Sequence, residues 1–190
     1  MKKWTSPVSF CLVFFTLICT AQESTYDLKF KEVSTYLMDP EKSIIKNTEQ
    51  SQRHNTLLTV LRASDLDDVL DYDGEFTVFA PSDMAFAKLP EITIARLLDP
   101  KNKEVLKAIM SYHIVAGKLS ASKILRAMCR GNGKATFTTV QGNKITASMN
   151  GIDIILTDGH GNKAKIIIAD ADQCNGVIHE IDTVFFPVEI

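Results

Sequence analysis

The chain has 190 residues, enough for one domain with a buried core. Its 45% apolar and 23% charged residues are ordinary globular composition, which excludes the disordered and collagen-like classes. The 21 basic and 23 acidic residues give a net charge of −2, which argues against nucleic acid or an anionic membrane as an electrostatic partner but leaves room for a local basic patch.

Residues 1–21 read as an export signal. Lys2 and Lys3 form the positive start, Phe10 to Ile18 the apolar stretch, and Cys19-Thr20-Ala21 a small-residue site with cleavage expected before Gln22. The apolar stretch is too short to span a bilayer, and no later run is longer. Acylation at Cys19 is the alternative, disfavoured by the large Ile18 before it. The expected product is exported: secreted, periplasmic or held at the cell surface. It has no transmembrane helix, and losing the two lysines leaves 19 basic against 23 acidic residues, a net charge of −4.

Residues 22–37 read as a polar tail and 38–190 as the domain. Residues 41–63 carry helical spacing through Leu57, Val60 and Leu61. Ser64 and Asp65 look like the cap of a second helix with Leu66, Val69 and Leu70 as its apolar stripe, broken at Asp73-Gly74. Phe76 to Ala80 is a short strand of β-branched and aromatic residues ended by Pro81. Ser82 and Asp83 cap a helix from Met84 to Leu89. Pro90 opens another, with Ile92, Leu97 and Leu98 as core contacts, and Asp99-Pro100 begins a third through Val105, Leu106, Ile109 and Met110. Tyr112 to Val115 turns extended, and Ser120 caps one more helix through Ile124, Leu125 and Met128.

After Gly131-Asn132-Gly133 the pattern becomes strands: 135–140, 144–149, 152–156, 165–169 and 177–186, separated by Gly- and Asn-rich turns. Helices first and strands second imply α+β, with helices packed on an antiparallel meander. Asn175-Gly176 supplies positive-φ turn residues. Val177, Ile178, Ile181 and Val184 do not alternate, so the last strand has a bulge or burial on both faces.

The chemistry-bearing residues are sparse. Gly-x-Ser-x-Gly is absent, and no serine or cysteine stands at a defensible spacing from His54, His113, His160 or His179. The acidic run Asp65, Asp67, Asp68, Asp71, Asp73 and Glu75 fails the EF-hand template and reads as a solvated surface. No phosphate-binding or dinucleotide fingerprint appears, so no cofactor is expected and the chain reads as a non-enzyme. Cys129 and Cys174 remain after processing. In an oxidising compartment they read as one disulfide, closing a loop of about 45 residues worth roughly 4 kcal/mol; two separate buried thiols are the alternative.

Three strings carry a resemblance: Thr77-Val78-Phe79-Ala80-Pro81-Ser82-Asp83 with Phe86; Tyr112-His113; and Asn175-Gly176-Val177-Ile178-His179 with Asp182 and Pro187. In this order the chain resembles the fasciclin-domain family of secreted or cell-surface adhesion modules, of the bacterial single-domain type, over about residues 38–188. The resemblance implies a β-wedge or sandwich of about seven mostly antiparallel strands with several helices along it. It also implies a non-catalytic module for an extracellular protein or polysaccharide. Cys174, Glu180 and Phe185-Phe186 depart from the family pattern, and Cys174 with Cys129 suggests a staple found in a subset. In some animal members a motif just before the Asn-Gly block is tied to integrin binding. Asp170 stands at its acidic position but its neighbours do not match, so only Asp170 and Asp172 are kept, as candidate partner contacts. The signature residues have a structural reading beside this one: His179 as a hydrogen-bonded core histidine, Tyr112-His113 as a packed ring and a satisfied polar tip, Asp83 as a helix-start acceptor. A soluble binding protein for an apolar small molecule is the competing function, to be recognised by a dry cavity near residues 84–110; a secreted hydrolase is a third.

Overall fold

The computed structural model describes residues 38–71 and 74–186; the expectations for the export signal, the tail and Pro187 fall outside them. The first half is helical: α1 (Ile44–Gln50), α2 (Asn55–Ala63) and α3 (Leu66–Asp71) precede strand β1 (Phe76–Pro81). The run expected as one helix over 41–63 is two. Ser43 opens α1 by accepting the Lys46 N–H, and Ser51 ends it in an extended conformation. Then come α4 (Asp83–Phe86), α5 (Glu91–Leu97), a 3₁₀ turn at Pro100–Asn102, α6 (Lys103–Tyr112), strand β2 (Ile114–Ala116) and α7 (Ala121–Arg130). Tyr112 ends α6 rather than starting a strand, because the His113 N–H still bonds the Met110 carbonyl.

The second half is β3 (Lys134–Thr138), β4 (Lys144–Asn150), β5 (Asp153–Thr157), β6 (Lys163–Gln173) and β7 (Gly176–Ile181). The strand order is β2-β1-β7-β6-β5-β4-β3, antiparallel except for the parallel pair β1–β7. Strand β6 is the corner. Its start pairs with β5 and its remainder with β7, with register breaks between Ile166 and Ile168 and between Ile168 and Ala171. A bulged strand bends, so β6 folds one half of the sheet toward the other. The two edges then meet through a Val115–Thr139 bridge and a Val140 N–H donated to the Ile114 carbonyl. This is the α+β wedge of seven mostly antiparallel strands.

Two cores fill it. Leu57, Leu61, Leu70, Leu106 and Ile109 from the helices pack on Val78, Ala80 and Ile178. Phe79, Tyr112, Ile124, Met128 and Phe185 pack on Ile145, Leu156, Ile166 and Ile181. The pair β1–β7 therefore lies between both cores, and every residue of β7 is buried. That is why its apolar residues do not alternate; the bulges sit on β6 instead. Strand β7 stops at Ile181, since Asp182 turns away and its carboxylate accepts the Lys165 N–H at 2.8 Å and the Thr183 hydroxyl at 3.0 Å.

Candidate functional site

The signature residues converge on the β1–β7 pair. Thr77 Oγ1 donates to the Gly117 carbonyl at 2.6 Å and accepts the Leu119 N–H at 2.8 Å, fastening the β2–α7 loop. Phe79, fully buried, stacks on His179 with ring centroids 5.8 Å apart. Ala80 and Pro81 pair with Glu180 and Ile181 across the parallel ladder, and Phe86 is buried in the helical core. Ser82 Oγ accepts the Ala85 N–H to start α4. Asp83 serves a different helix: its carboxylate accepts the N–H groups of Thr56 at 2.8 Å and Asn55 at 3.2 Å, at the start of α2. Burial pushes this carboxyl up, but the bonds from Thr56 and Asn55 outweigh it and leave the pKa below the usual value.

Asn175 has no positive φ. Its amide spans two helices, accepting the Ile44 N–H at 2.9 Å and donating to the Leu70 carbonyl at 2.5 Å. Gly176 is required by close approach: a Cβ there would lie 2.0 Å from the Phe76 carbonyl oxygen.

His113 and His179 are both buried and each joins two backbone segments. His113 Nδ1–H donates to the Ile109 carbonyl at 2.8 Å, and its Nε2 accepts the Phe185 N–H at 3.0 Å. His179 Nε2–H donates to the Leu119 carbonyl at 2.7 Å, and its Nδ1 accepts the Asp170 N–H at 3.2 Å. Each ring needs one donor and one acceptor nitrogen, so each is the neutral imidazole. Burial lowers both pKa values, that of His113 to about 4. The Tyr112 hydroxyl accepts the Gly159 N–H at 3.2 Å, and its ring meets Phe185 edge-on.

One cluster escaped the sequence reading. Glu180, buried inside β7, binds Arg53 through both Nε (3.2 Å) and Nη2, and its other oxygen lies 3.8 Å from His54 Nε2. His54 Nδ1 meets the Ser51 hydroxyl at 2.7 Å, while Nε2 is buried without a hydrogen-bond partner among the described residues. A serine, an imidazole and a carboxylate thus stand in line. However, the 3.8 Å gap is too long for the hydrogen bond that orients a catalytic imidazole, and the Ser51 oxygen also accepts the Arg53 N–H. The arrangement braces the α1–α2 turn against β7. The only early sign was that Glu180 replaces an apolar residue in an apolar strand; its ionic partner is 127 residues away.

The exterior carries different residues. A groove of about 500 Å³, open to solvent, runs between α4 and α5. Phe86, Leu89, Ile94 and Leu98 line it, with Asp83 and Glu91 at its side. The same two helices expose Met84 and Ile92, each 75% accessible. Ile92 was expected in the core; instead Leu97 is the buried residue of α5. Asp170, in the β6 bulge with φ 58°, accepts the Ala121 N–H at 2.7 Å, and Asp172 pairs with Lys118 at 2.9 Å. Both acids are exposed but engaged within the molecule.

The cysteine pair is a correction. Cys129 and Cys174 are free and exposed, so the structure contains no 129–174 bridge. Cys129 lies in the last turn of α7, which packs on β3; Cys174 lies in the β6–β7 turn, bonded through its N–H to the Lys42 carbonyl. The sheet order puts β5 and β4 between β6 and β3.

A model of the Fasciclin domain matches residues 52–187. Protein sll1483 of Synechocystis sp. is 34% identical over 185 residues, which cover 97% of this chain and 94% of that protein. The cell surface glycolipoprotein MPB83 of Mycobacterium bovis is 33% identical over 114 residues, 60% of this chain and 44% of its own length. Human periostin is 35% identical over 124 residues, which are 65% of this chain and 13% of periostin. Among solved structures, a FAS1 domain pair from the insect cell adhesion molecule fasciclin I superposes with a TM-score of 0.68 at 18% identity. The match covers 79% of this chain and 52% of that one.

Proposed function

Because the chain belongs to the fasciclin-domain family, we propose that it is a non-catalytic adhesion module acting outside the cell, with its recognisable residues serving architecture and its exterior making the contact. Its partner in this reading is an extracellular protein whose apolar side chains seat in the α4–α5 groove. The observation that carries the reading is the contrast between the two sets of residues. Thr77, Phe79, Tyr112, His113 and His179 are buried, whereas the two helices that form an apolar groove each carry an apolar side chain, Met84 or Ile92, that stands three-quarters exposed. Scattered exposed apolar residues are ordinary, but an open apolar groove between two helices that both expose a large apolar side chain suits an interaction surface. Asp83 and Glu91 suit a partner that carries a basic residue beside its apolar ones. Two of the similar proteins are named as a cell surface glycolipoprotein and a cell adhesion molecule, which points the same way.

A carrier of an apolar small molecule wants an enclosed pocket, and the groove near residues 84–110 is open. The adhesive reading is therefore preferred. The test is attachment of protein-coated beads to the surface of cells that make the protein. The double variant Met84→Ser/Ile92→Ser keeps the melting temperature and lowers attachment. Undiminished attachment by a folded double variant would count against the groove.

A further inference from the structure

The proposed groove uses the helical side of the molecule; the far side of the wedge has its own pattern. Over the paired parts of β3 to β6 one set of residues points inward, with Ala135, Ile145, Ala147, Leu156 and Ala164 buried. The residues between them face solvent, and the register arranges them in rows. One row is Lys134–Ser148–Ile155–Lys165, a lysine at each end. The next is Thr136–Thr146–Thr157–Lys163, where the first two hydroxyls are 3.1 Å apart. Lys144, opposite Thr138, follows. At ordinary strand spacing the first row is about 14 Å long.

The charge on this face is mostly positive, with Lys134, Lys144, Lys163 and Lys165 against Asp153 and Asp182. Asp153 lies 3.5 Å from Lys165, and the Asp182 carboxylate is occupied by the Lys165 N–H and the Thr183 hydroxyl. Among the described residues no carboxylate pairs with Lys134, Lys144 or Lys163. Three unpaired lysines surround a strip of hydroxyls on a protein whose net charge is −2. A depression of about 460 Å³ lies on the same face, lined by Ser148, Asn150, Ile155, Lys163, Lys165 and Asp182 among others.

We infer that this hydroxyl-and-lysine face binds an anionic polysaccharide, a polyol chain bearing carboxylate or sulfate groups. The lysines supply point charges at the rim of the strip. The threonine and serine hydroxyls between them both donate and accept, as a polyol requires. No aromatic side chain faces outward in these rows, so the face has no platform for stacking nucleic-acid bases. A lipid surface would leave the central hydroxyls without partners. The inference does not depend on the α4–α5 groove.

Affinity electrophoresis of the exported chain in gels containing alginate, with dextran as the neutral control, tests it. Alginate should retard the protein and dextran should not. Affinity should fall about tenfold or more from roughly 50 to roughly 200 mM salt. Lys134→Gln/Lys163→Gln should weaken binding about fivefold at an unchanged melting temperature. The control Lys46→Gln/Lys107→Gln, on the helical side, should leave it unchanged. Absence of retardation, or equal losses in the two double variants, overturns the inference. So does binding of duplex DNA or phosphatidylserine vesicles as tight as that of alginate, which would mark the face as a general anion or membrane surface.

Discussion

Lowering the pH from 7 to 5 should destabilise this fold through His113. The ring is fully buried, and its two nitrogens connect the end of α6 to the segment after β7. Protonation would set an Nε2–H against the Phe185 N–H, two donors facing each other. The folded pKa is accordingly lowered from 6.5 to about 4, with burial the first cause. Above pH 6.5 neither folded nor unfolded chain binds this proton, and the contribution to stability is complete. Between 6.5 and about 4 the unfolded chain binds it and the folded chain does not, so stability falls as the pH falls; below about 4 no further loss arises from this group. Integrated from pH 7 to pH 5, the loss is about 2 kcal/mol, or roughly 4 to 8 °C in melting temperature. His179 and His54, both lowered by burial, add to it in the same direction. Carboxylates scarcely titrate in this window, and the contribution of Asp83, whose pKa is depressed, is lost only at lower pH. Urea unfolding at the two pH values measures the loss, and NMR of the histidine ring protons assigns it. A His113 ring titrating near 6.5 in the folded protein, or equal stability at both pH values, refutes the reasoning.

Three further outcomes are expected. His179→Ala leaves the Leu119 carbonyl and the Asp170 N–H without their partner and should cost roughly 1–3 kcal/mol by chemical denaturation. Arg53→Ala strands the buried Glu180 carboxylate and should cost about 3 kcal/mol, whereas Arg53→Met/Glu180→Leu, which removes both charges, should cost much less; equal losses in the two would deny the ion pair its role. Thiol titration of the native chain from Gln22 onward should find Cys129 and Cys174 both reactive, and a 129–174 linked peptide in non-reducing mass spectrometry would restore the staple.

Much of the fold is legible because it is written locally. Apolar runs with Gly-rich turns marked β3 to β6, and Ser82 and Ser120 capped helices as their positions suggested. The errors lie where a distant element decides. Tyr112 looks extended by composition, yet the helix continues through it. Ile92 has the spacing of a core residue, but α5 turns Leu97 inward. Asp83 was read as serving its own helix and instead starts α2. Asn175 does sit in the β6–β7 turn, but without the expected positive φ, and its amide also joins α1 to α3, a role set by residues 131 and 105 positions away. The Arg53–Glu180 brace is of the same kind. The cysteine pairing failed because two cysteines carry no information about distance. Neither exposed surface was visible beforehand: the groove needs two helices placed side by side, and the lysine rows need the strand register.

The division of labour between interior and exterior is tested most directly by measuring melting temperature and bead attachment together, across variants at His113, His179, Asn175, Met84 and Ile92. Variants at the first three should lose attachment only in proportion to lost folding, while those at Met84 and Ile92 should lose it with the fold intact. A folded His179 or Asn175 variant that melts normally and no longer attaches would contradict the account.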